Sequence, residues 1–576
     1  MAEKTDSFMR SLCLGEIQEE MIFPFPQIKA EEKETLKASF DAFGSWLKGR
    51  DKEYREWDVK GHMPEEFLQQ MREFGLFSFI IPEQFGGLGF SSTAYSRTIQ
   101  ELARYESSVA ITAGAHSSIG MRGLLLAGTE EQKARYLSKL ATGEMIAAFC
   151  LTEPGSGSDA ASIKTTAVRK GDKWVLNGEK LWITNGGIAS FFTVFAKTDT
   201  KEGKMTAFIV TRDMKGVSNG PHEDKMGIRA NSTTTILMDN VEVDDKQVLG
   251  EVGKGFKIAM RILNAGRTGL GGGSVGAMKH AIELATKQAK QRVQFGQPIS
   301  EYGLIKQKIG HMVVECFASE STVSMVAGLV DQGYEDYAVE AAISKVFATE
   351  CLWRTVDEAL QVAGGNGFMR EFPYERMMRD CRINRIFEGT NEILRLFIAL
   401  TAMNDVGHQL KELSSSLGNV FADPIKGFGV LSEYARRRAS FATGVGKNEI
   451  TLAHPELKAA CTVFNEGTHQ LAAFADRLLR KHGKKIVDYQ FATRRLADVM
   501  IDLFVLASTL SRVSSLIESK GSEACTREKE IVTVLSGQCR RRIGSNFGKI
   551  DENDDELIKS LASDAVEKEG YRWDTL

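Results

Sequence analysis

A stretch of roughly a hundred residues in the middle of this 576-residue chain abandons helical periodicity, and nothing else constrains the fold so strongly. "KWVLNGEKLWITNG" reads as two strands around Asn177-Gly178, a dipeptide that takes the positive φ angles of a tight hairpin. "FFTVFAKTD", "MTAFIVTRD" and "STTTILMDNVEVDD" follow as alternating, β-branched segments. On both sides apolar residues recur at helical spacing, as in "KETLKASFDAFGSWLKG" before and "YAVEAAISKVFATECLWRTVDEALQVAG" after. The predicted order is an N-terminal helical domain (1–148), a middle β-domain (149–255), a helical domain (256–404), a Ser/Gly-rich linker (405–453) and a C-terminal helical domain (454–576). The class is mainly α with a central β-domain.

Length alone asks for several domains, because a single core stops growing well below this size. With 73 basic and 76 acidic side chains the net charge is -3, so no overall field draws the chain to nucleic acid. Eight cysteines without a C-x-x-C pair predict reduced, buried thiols. The opening "MAEKTDSFMRSLCLGEIQEE" has the pattern of neither a signal peptide nor an Arg-rich transit sequence, and no run nears the ~18 apolar residues of a spanning helix. No H-E-x-x-H is present, so no catalytic metal is expected. "GVGKNEIT" lacks the spacing of a phosphate loop, and "GGNGF" and "GGLGF" are not the dinucleotide fingerprint.

Two stretches carry chemistry. In "AFCLTEPGSGSDAASIKTTA", Pro154, Gly155 and Gly157 hold the backbone open for close approach of a ligand, with hydroxyls from Thr152, Ser156 and Ser158. A structural turn ahead of the β-domain fits the same residues. In "RIFEGTNEILRLF", Glu388 stands among apolar neighbours. Burial raises a carboxylate's pKa and makes it a stronger base. A residue favoured by the dipole of the following helix is the plainer reading, although Glu392, behind a cap at Thr390 or Asn391, suits that part better.

"TEPGSGSD", "LNGEKLWITNGG", "RVQFGQPI", "QVAGGNGF" and "IFEGTNEILR", in this order and spacing, resemble the acyl-CoA dehydrogenase family over about residues 40–400. "ILNAGR", "YGLI" and the C-terminal unit resemble its very-long-chain branch, close to the complex I assembly dehydrogenase. The resemblance implies a β-barrel-like middle domain between two helical ones, an extra C-terminal helical domain, and FAD between the domains. It implies that Phe149, Leu151 and Thr152 line the flavin, that Trp182 and Thr184, two apart on one strand face, pack beside it, and that Thr390, Asn391 and Glu392 lie on the cofactor side. Arg292 and Phe295 would reach the FAD of a neighbouring subunit, with Gln361, Gly364 and Gly365 on its adenosine part, so a homodimer is implied. Gly303 departs from the glutamine of shorter-chain relatives. Ser158 matches a position that touches both FAD and CoA. Asn264 and Arg267 match positions facing the thioester arm and nucleotide, and Gly389 lets the chain pass close to the thioester.

Glu388 matches the family's base. It takes a proton from the carbon α to the thioester while a hydride leaves the β carbon for FAD, giving a trans-2-enoyl-CoA. The thioester oxygen is held by the base's own amide and a ribityl hydroxyl. Some branches carry the base at the position of Gly266, where glycine cannot serve. Gly120 and Gly123, three apart on a helical face, each cost about 1 kcal/mol against alanine. Tight packing would justify them, and the resemblance implies instead that they open the fatty-acyl tunnel to long chains. Segment 423–441 sets Ile425, Phe428, Val430 and Leu431 beside Arg436, Arg437 and Arg438, which fits a solvated helix face as well as an anionic bilayer; the resemblance favours the bilayer. The implied activity is the first oxidation of fatty-acid β-oxidation, with electrons passing to electron-transferring flavoprotein, in a bacterial cytoplasm or a mitochondrial matrix. An assembly protein that keeps the fold, or an acyl-CoA oxidase, is the alternative.

Overall fold

The computed structural model describes residues 7–408, 410–411 and 448–575, so the 423–441 segment lies outside the described residues. The chain divides into two compact units, one of residues 1–7 and 24–394, the other of 8–23 and 395–576.

In the first unit eight strands form one sheet: β1 (Ala147–Cys150), β2 (Thr166–Lys170), β3 (Lys173–Thr184), β4 (Phe191–Asp199), β5 (Lys204–Thr211), β6 (Val217–His222), β7 (Thr233–Asp244) and β8 (Val248–Leu249). The path runs β6-β7-β3-β2-β4-β5-β8, with β1 parallel to β4; among the described residues it does not close into a barrel. The expected hairpin at Asn177-Gly178 is not there. β3 runs straight through that dipeptide with a bulge between Leu176 and Gly178, and the β2–β3 turn is at Gly171-Asp172, where Gly171 takes φ 62°. Gly178 is instead a packing requirement, since a Cβ on it would stand 2.4 Å from Thr165 Oγ1. β4 is buried on both faces. Phe191 and Phe195 join a cluster with Leu137 and Ile262, while Phe192 and Val194 pack with Phe208 and Ile236, as strand alternation requires.

The helices that frame the site cross closely because of glycine. The Gly255–Gln291 helix carries "GLGGGSVGA", a costly sequence for a helix interior. A Cβ at Gly272 would lie 2.9 Å from Ser96 O, one at Gly276 2.0 Å from Gln100 O, and one at Gly271 2.9 Å from Ser344 Oγ. The glycines therefore let this helix lie against both the Ser92–Tyr105 and Ala338–Ala363 helices. Ser91 caps the former by accepting from Ala94 N.

The second unit is built on the helices Lys458–His482, Gln490–Lys520 and Thr526–Asp551. Residues 8–23, expected with the N-terminal domain, belong here. Phe8 sits with its ring 6.5 Å from Phe464 and 6.1 Å from Phe504, and the Glu19 carboxylate accepts from Thr451 N and Leu452 N at 2.7 and 2.9 Å. Helical periodicity shows that Phe8 needs an apolar partner but not that the partner is 456 residues away (464 − 8). All eight cysteines are buried and free of disulfides.

Candidate active site

Glu388 lies between a short 3-10 turn (Ile383–Arg385) and the Asn391–Ala402 helix, which Thr390 starts by accepting from Ile393 N at 3.2 Å. Its φ is 58°, and Gly389 follows at 92°. A glutamate in the left-handed region is strained, and such strain survives only where the surroundings hold it. Arg267 Nε donates to Glu388 O at 3.3 Å, and Lys345 Nζ donates to Gly389 O at 2.8 Å. Glu388 Oε2 is cut off from solvent with no hydrogen-bond partner. Burial pushes the carboxyl up to about 7, and Arg267 and Lys345 pull it back down. A base poised there suits proton abstraction near neutral pH.

The carboxylate faces a cavity of about 1120 Å³, open mouth included. Along the Gly255–Gln291 helix its wall is Gly266, Gly269, Leu270, Gly273, Ala277 and His280. These residues span one helix face over roughly 21 Å at about 1.5 Å per residue. Zigzag C–C bonds of about 1.5 Å bring roughly sixteen carbons into that length. The opposite wall includes Ala110 and Gly114 and a π-helical turn, Ala115–Gly120, that turns Ser118 and Ile119 inward. Part of its lining is polar, where Arg376 and Glu106 pair at 2.8 Å and burial pushes Asp380 up to about 7. A Cβ on Gly266 would stand 3.0 Å from Glu388 Oε2, so the glycine leaves the carboxylate its room.

The sequence-predicted residues fall into three groups. Glu388 and Thr184 line the cavity together, and Gly389 follows Glu388 in the chain. Trp182, at φ 55° on a second bulge of β3, is 62% exposed, while the next residue, Ile183, is buried. Phe149 is half-buried edge-on to Phe195, Leu151 O accepts from Lys180 Nζ, and Thr152 O accepts from Leu181 N, which ties this strand end to β3. Ser158, Gly155 and Gly157 are exposed, and a Cβ on either glycine meets nothing within 4 Å.

A second group does not line this cavity. Arg292, Phe295, Gln361, Gly364 and Gly365 are all on the exposed surface, Phe295 at 96%.

A third group is corrected. Gly120 and Gly123 do not line the cavity. A Cβ on Gly120 would lie 2.7 Å from the Ala147 carbonyl carbon, and one on Gly123 2.8 Å from Leu249 Cδ2, so both serve close packing against the β-domain. The glycine that does line the cavity opposite the long helix is Gly114, within the same helical stretch but on the face toward Tyr95 and Ile99. Arg267 is only 6% exposed, and its guanidinium donates to Glu388 O and to Asn264 Oδ1 (2.9 Å). Asn391 is fully buried, with Oδ1 accepting from Lys345 and Nδ2 donating to Thr349 and Glu350, so it ties the loop to the Ala338–Ala363 helix. Thr390 caps and Glu392 is exposed in the first turn. Lys345 escaped the sequence reading, because a lysine among apolar helix residues carries no pattern of its own.

Comparison with known proteins decides what this constellation belongs to. The profiles "Acyl-CoA dehydrogenase, N-terminal domain", "middle domain" and "C-terminal domain" match residues 31–144, 148–241 and 253–403, and "ACAD9/ACADV, C-terminal domain" matches 455–571. The chain belongs to the acyl-CoA dehydrogenase family. It is 41% identical to the mitochondrial very long-chain specific acyl-CoA dehydrogenase of Homo sapiens, over 98% of this chain and 88% of that protein. Among solved structures, an acyl-CoA dehydrogenase complexed with FAD from Bacillus anthracis is similar at TM-score 0.80 and 34% identity, covering 96% of this chain and 94% of that one. Butyryl-CoA dehydrogenase from Megasphaera elsdenii is similar at TM-score 0.63 and 36% identity but covers only 65% of this chain, against 99% of its own. The first-unit acyl-CoA dehydrogenase fold is thus shared widely, and the second unit separates the longer relatives from the shorter.

Proposed function

We propose that the protein is an FAD-dependent dehydrogenase of long-chain acyl-CoA thioesters, forming the trans-2-enoyl-CoA in the first step of fatty-acid β-oxidation. One observation carries this reading: a carboxyl pushed up to about 7, its Oε2 buried and unpartnered, lines a largely apolar cavity whose wall residues on the Gly255–Gln291 helix span roughly 21 Å. Phe149, Leu151, Thr152, Trp182 and Thr184 would hold the flavin. The residues fit it, since Thr184 lines the cavity with Glu388 and the exposed Trp182 indole offers a planar face for a ring to pack on. When bound, FAD supplies the acceptor for the hydride.

The remaining work falls to this chain. Glu388 removes the α-proton, its strength raised by its burial. The Glu388 N–H donates to no protein acceptor among the described residues and is available to the thioester oxygen, where charge develops as the proton leaves. Arg267 and Lys345 keep the loop in its left-handed conformation. The apolar walls exclude water and accept the chain.

The exposed set Arg292, Phe295, Gln361, Gly364 and Gly365 supports a homodimer in which each copy completes the other's cofactor site. Arg292 is suited to a pyrophosphate. Electron-transferring flavoprotein is the proposed acceptor, in a mitochondrial matrix or a bacterial cytoplasm. The sequence of 423–441 supports peripheral contact with an anionic bilayer, and changing Arg436, Arg437 and Arg438 to Ala should lower liposome sedimentation while sparing turnover. Initial rates from butyryl-CoA to eicosanoyl-CoA with an artificial electron acceptor test the main reading. A maximum at palmitoyl-CoA or beyond is expected, and a maximum at butyryl-CoA would sink the long-chain assignment.

A further inference from the structure

Lys345 sits on the Ala338–Ala363 helix with none of its surface exposed. Burying a lysine is expensive unless its nitrogen is well partnered, and hydrophobic neighbours would suit that position better. Its Nζ donates to Gly389 O at 2.8 Å and Asn391 Oδ1 at 2.7 Å. Asn391 in turn donates to Thr349 Oγ1 at 3.1 Å and Glu350 Oε1 at 3.2 Å, one turn further along the same helix. The catalytic turn is thereby tied at two points to a rigid element. The opposite side of the turn is held by Arg267 on the Gly255–Gln291 helix. Two successive carbonyls, Glu388 O and Gly389 O, are each held by a buried cation.

That arrangement dictates backbone geometry. Holding both carbonyls fixes φ and ψ at Glu388 and Gly389, which lie at 58° and 92° and would relax if released. With those angles goes the direction of the Glu388 carboxylate and of its own N–H. We propose that Lys345 is a positioning residue for this reaction: by anchoring Gly389 O and Asn391 it sets the carboxylate and the amide of Glu388 toward one thioester at once. The inference rests on the function proposed above and extends it to a residue that touches neither substrate nor cofactor.

The charged groups facing Lys345 are Glu388, Arg267, Glu350 and Glu392. Burial lowers its pKa to about 7, Glu388 raises it and Arg267 lowers it further. The ammonium in turn lowers the pKa of Glu388, so its removal moves the ionisation of the base to higher pH.

The test compares FAD-loaded Lys345→Met and Asn391→Ala with the parent. Rates on palmitoyl-CoA are measured across pH, together with binding of 3-oxopalmitoyl-CoA, whose enolate is read by its own ultraviolet absorbance. Lys345→Met should keep KM within about threefold while kcat falls roughly hundredfold, the scale of losing one oxyanion donor. Its acid limb should move to higher pH, and the bound enolate should form only at higher pH. Asn391→Ala keeps the cation, so its kcat should fall less, by roughly tenfold, with the limb in place. Loss of activity only in proportion to lost FAD, with the enolate's pH dependence unmoved, would overturn the proposal. If Lys345→Met holds no FAD, Asn391→Ala decides, and an unchanged kcat and enolate there overturn it. A parent that binds the enolate but does not oxidise palmitoyl-CoA sinks the functional reading instead, and the enolate arm still judges Lys345.

Discussion

Glu388 and Phe295 are both non-glycine residues at positive φ, 58° and 49°, each followed by a glycine at positive φ, yet they sit in opposite surroundings. Around Glu388 the strain is held from within the subunit: both carbonyls are caught by buried cations and the next helix is capped on the spot. Phe295 and Gly296 form the two-residue turn between the short strands Val293–Gln294 and Gln297–Pro298, and the ring is 96% exposed, edge-on to Tyr302 at 6.4 Å. The contrast teaches that one strained turn is held by buried partners of its own chain, whereas the rim around Phe295 stands open to solvent.

The comparison can be broken at either end. Glu388→Gln should lower kcat on palmitoyl-CoA by roughly 10³-fold or more while acyl-CoA binding persists, measured by stopped-flow and by titration. Retained turnover would falsify the inner half of the contrast. At the rim, Arg292→Ala should weaken FAD retention by roughly 10- to 100-fold, the worth of a charge-assisted hydrogen bond, in equilibrium dialysis. The base loop should be undisturbed, so FAD added in excess restores kcat.

The two kinds of glycine sharpen the same distinction between cavity and packing. Gly114→Leu should move the preferred acyl chain shorter with little change in Tm, because its Cβ has ordinary contacts only, the nearest Ile99 at 3.9 Å. Gly123→Ala should leave the chain-length profile alone and destabilise the fold by about 1–3 kcal/mol, since its Cβ meets Leu249 at 2.8 Å. The smallest effect is on pH dependence. Glu388 must be ionised to act, so kcat/KM should rise with pH through a limb near 7. A limb at the ordinary carboxylate value of 4.5 would mean that the base is solvated.

Much of this was legible in the chain. The alternating segments between Ala147 and Leu249 announced a sheet because strand faces repeat every second residue. Glu388 stood out because an acid among apolar residues demands a reason. Asn177-Gly178 misled, since the same dipeptide that favours a turn also permits a bulge, and the choice between them lay with Thr165 packed against it. Gly120 and Gly123 misled for a related reason: a glycine reports that something comes close, not what.

The order helical, β, helical and the class of each segment were set by local periodicity, and Glu388 was singled out by its apolar neighbours and by the motif around it. Which residues face them was decided by the tertiary structure alone. Arg267 turning inward, Lys345 reaching across 44 residues to Gly389, and residues 8–23 joining the far end of the chain are all properties of neighbours in space. Periodicity describes one element's own faces, and only packing tells each face what it meets.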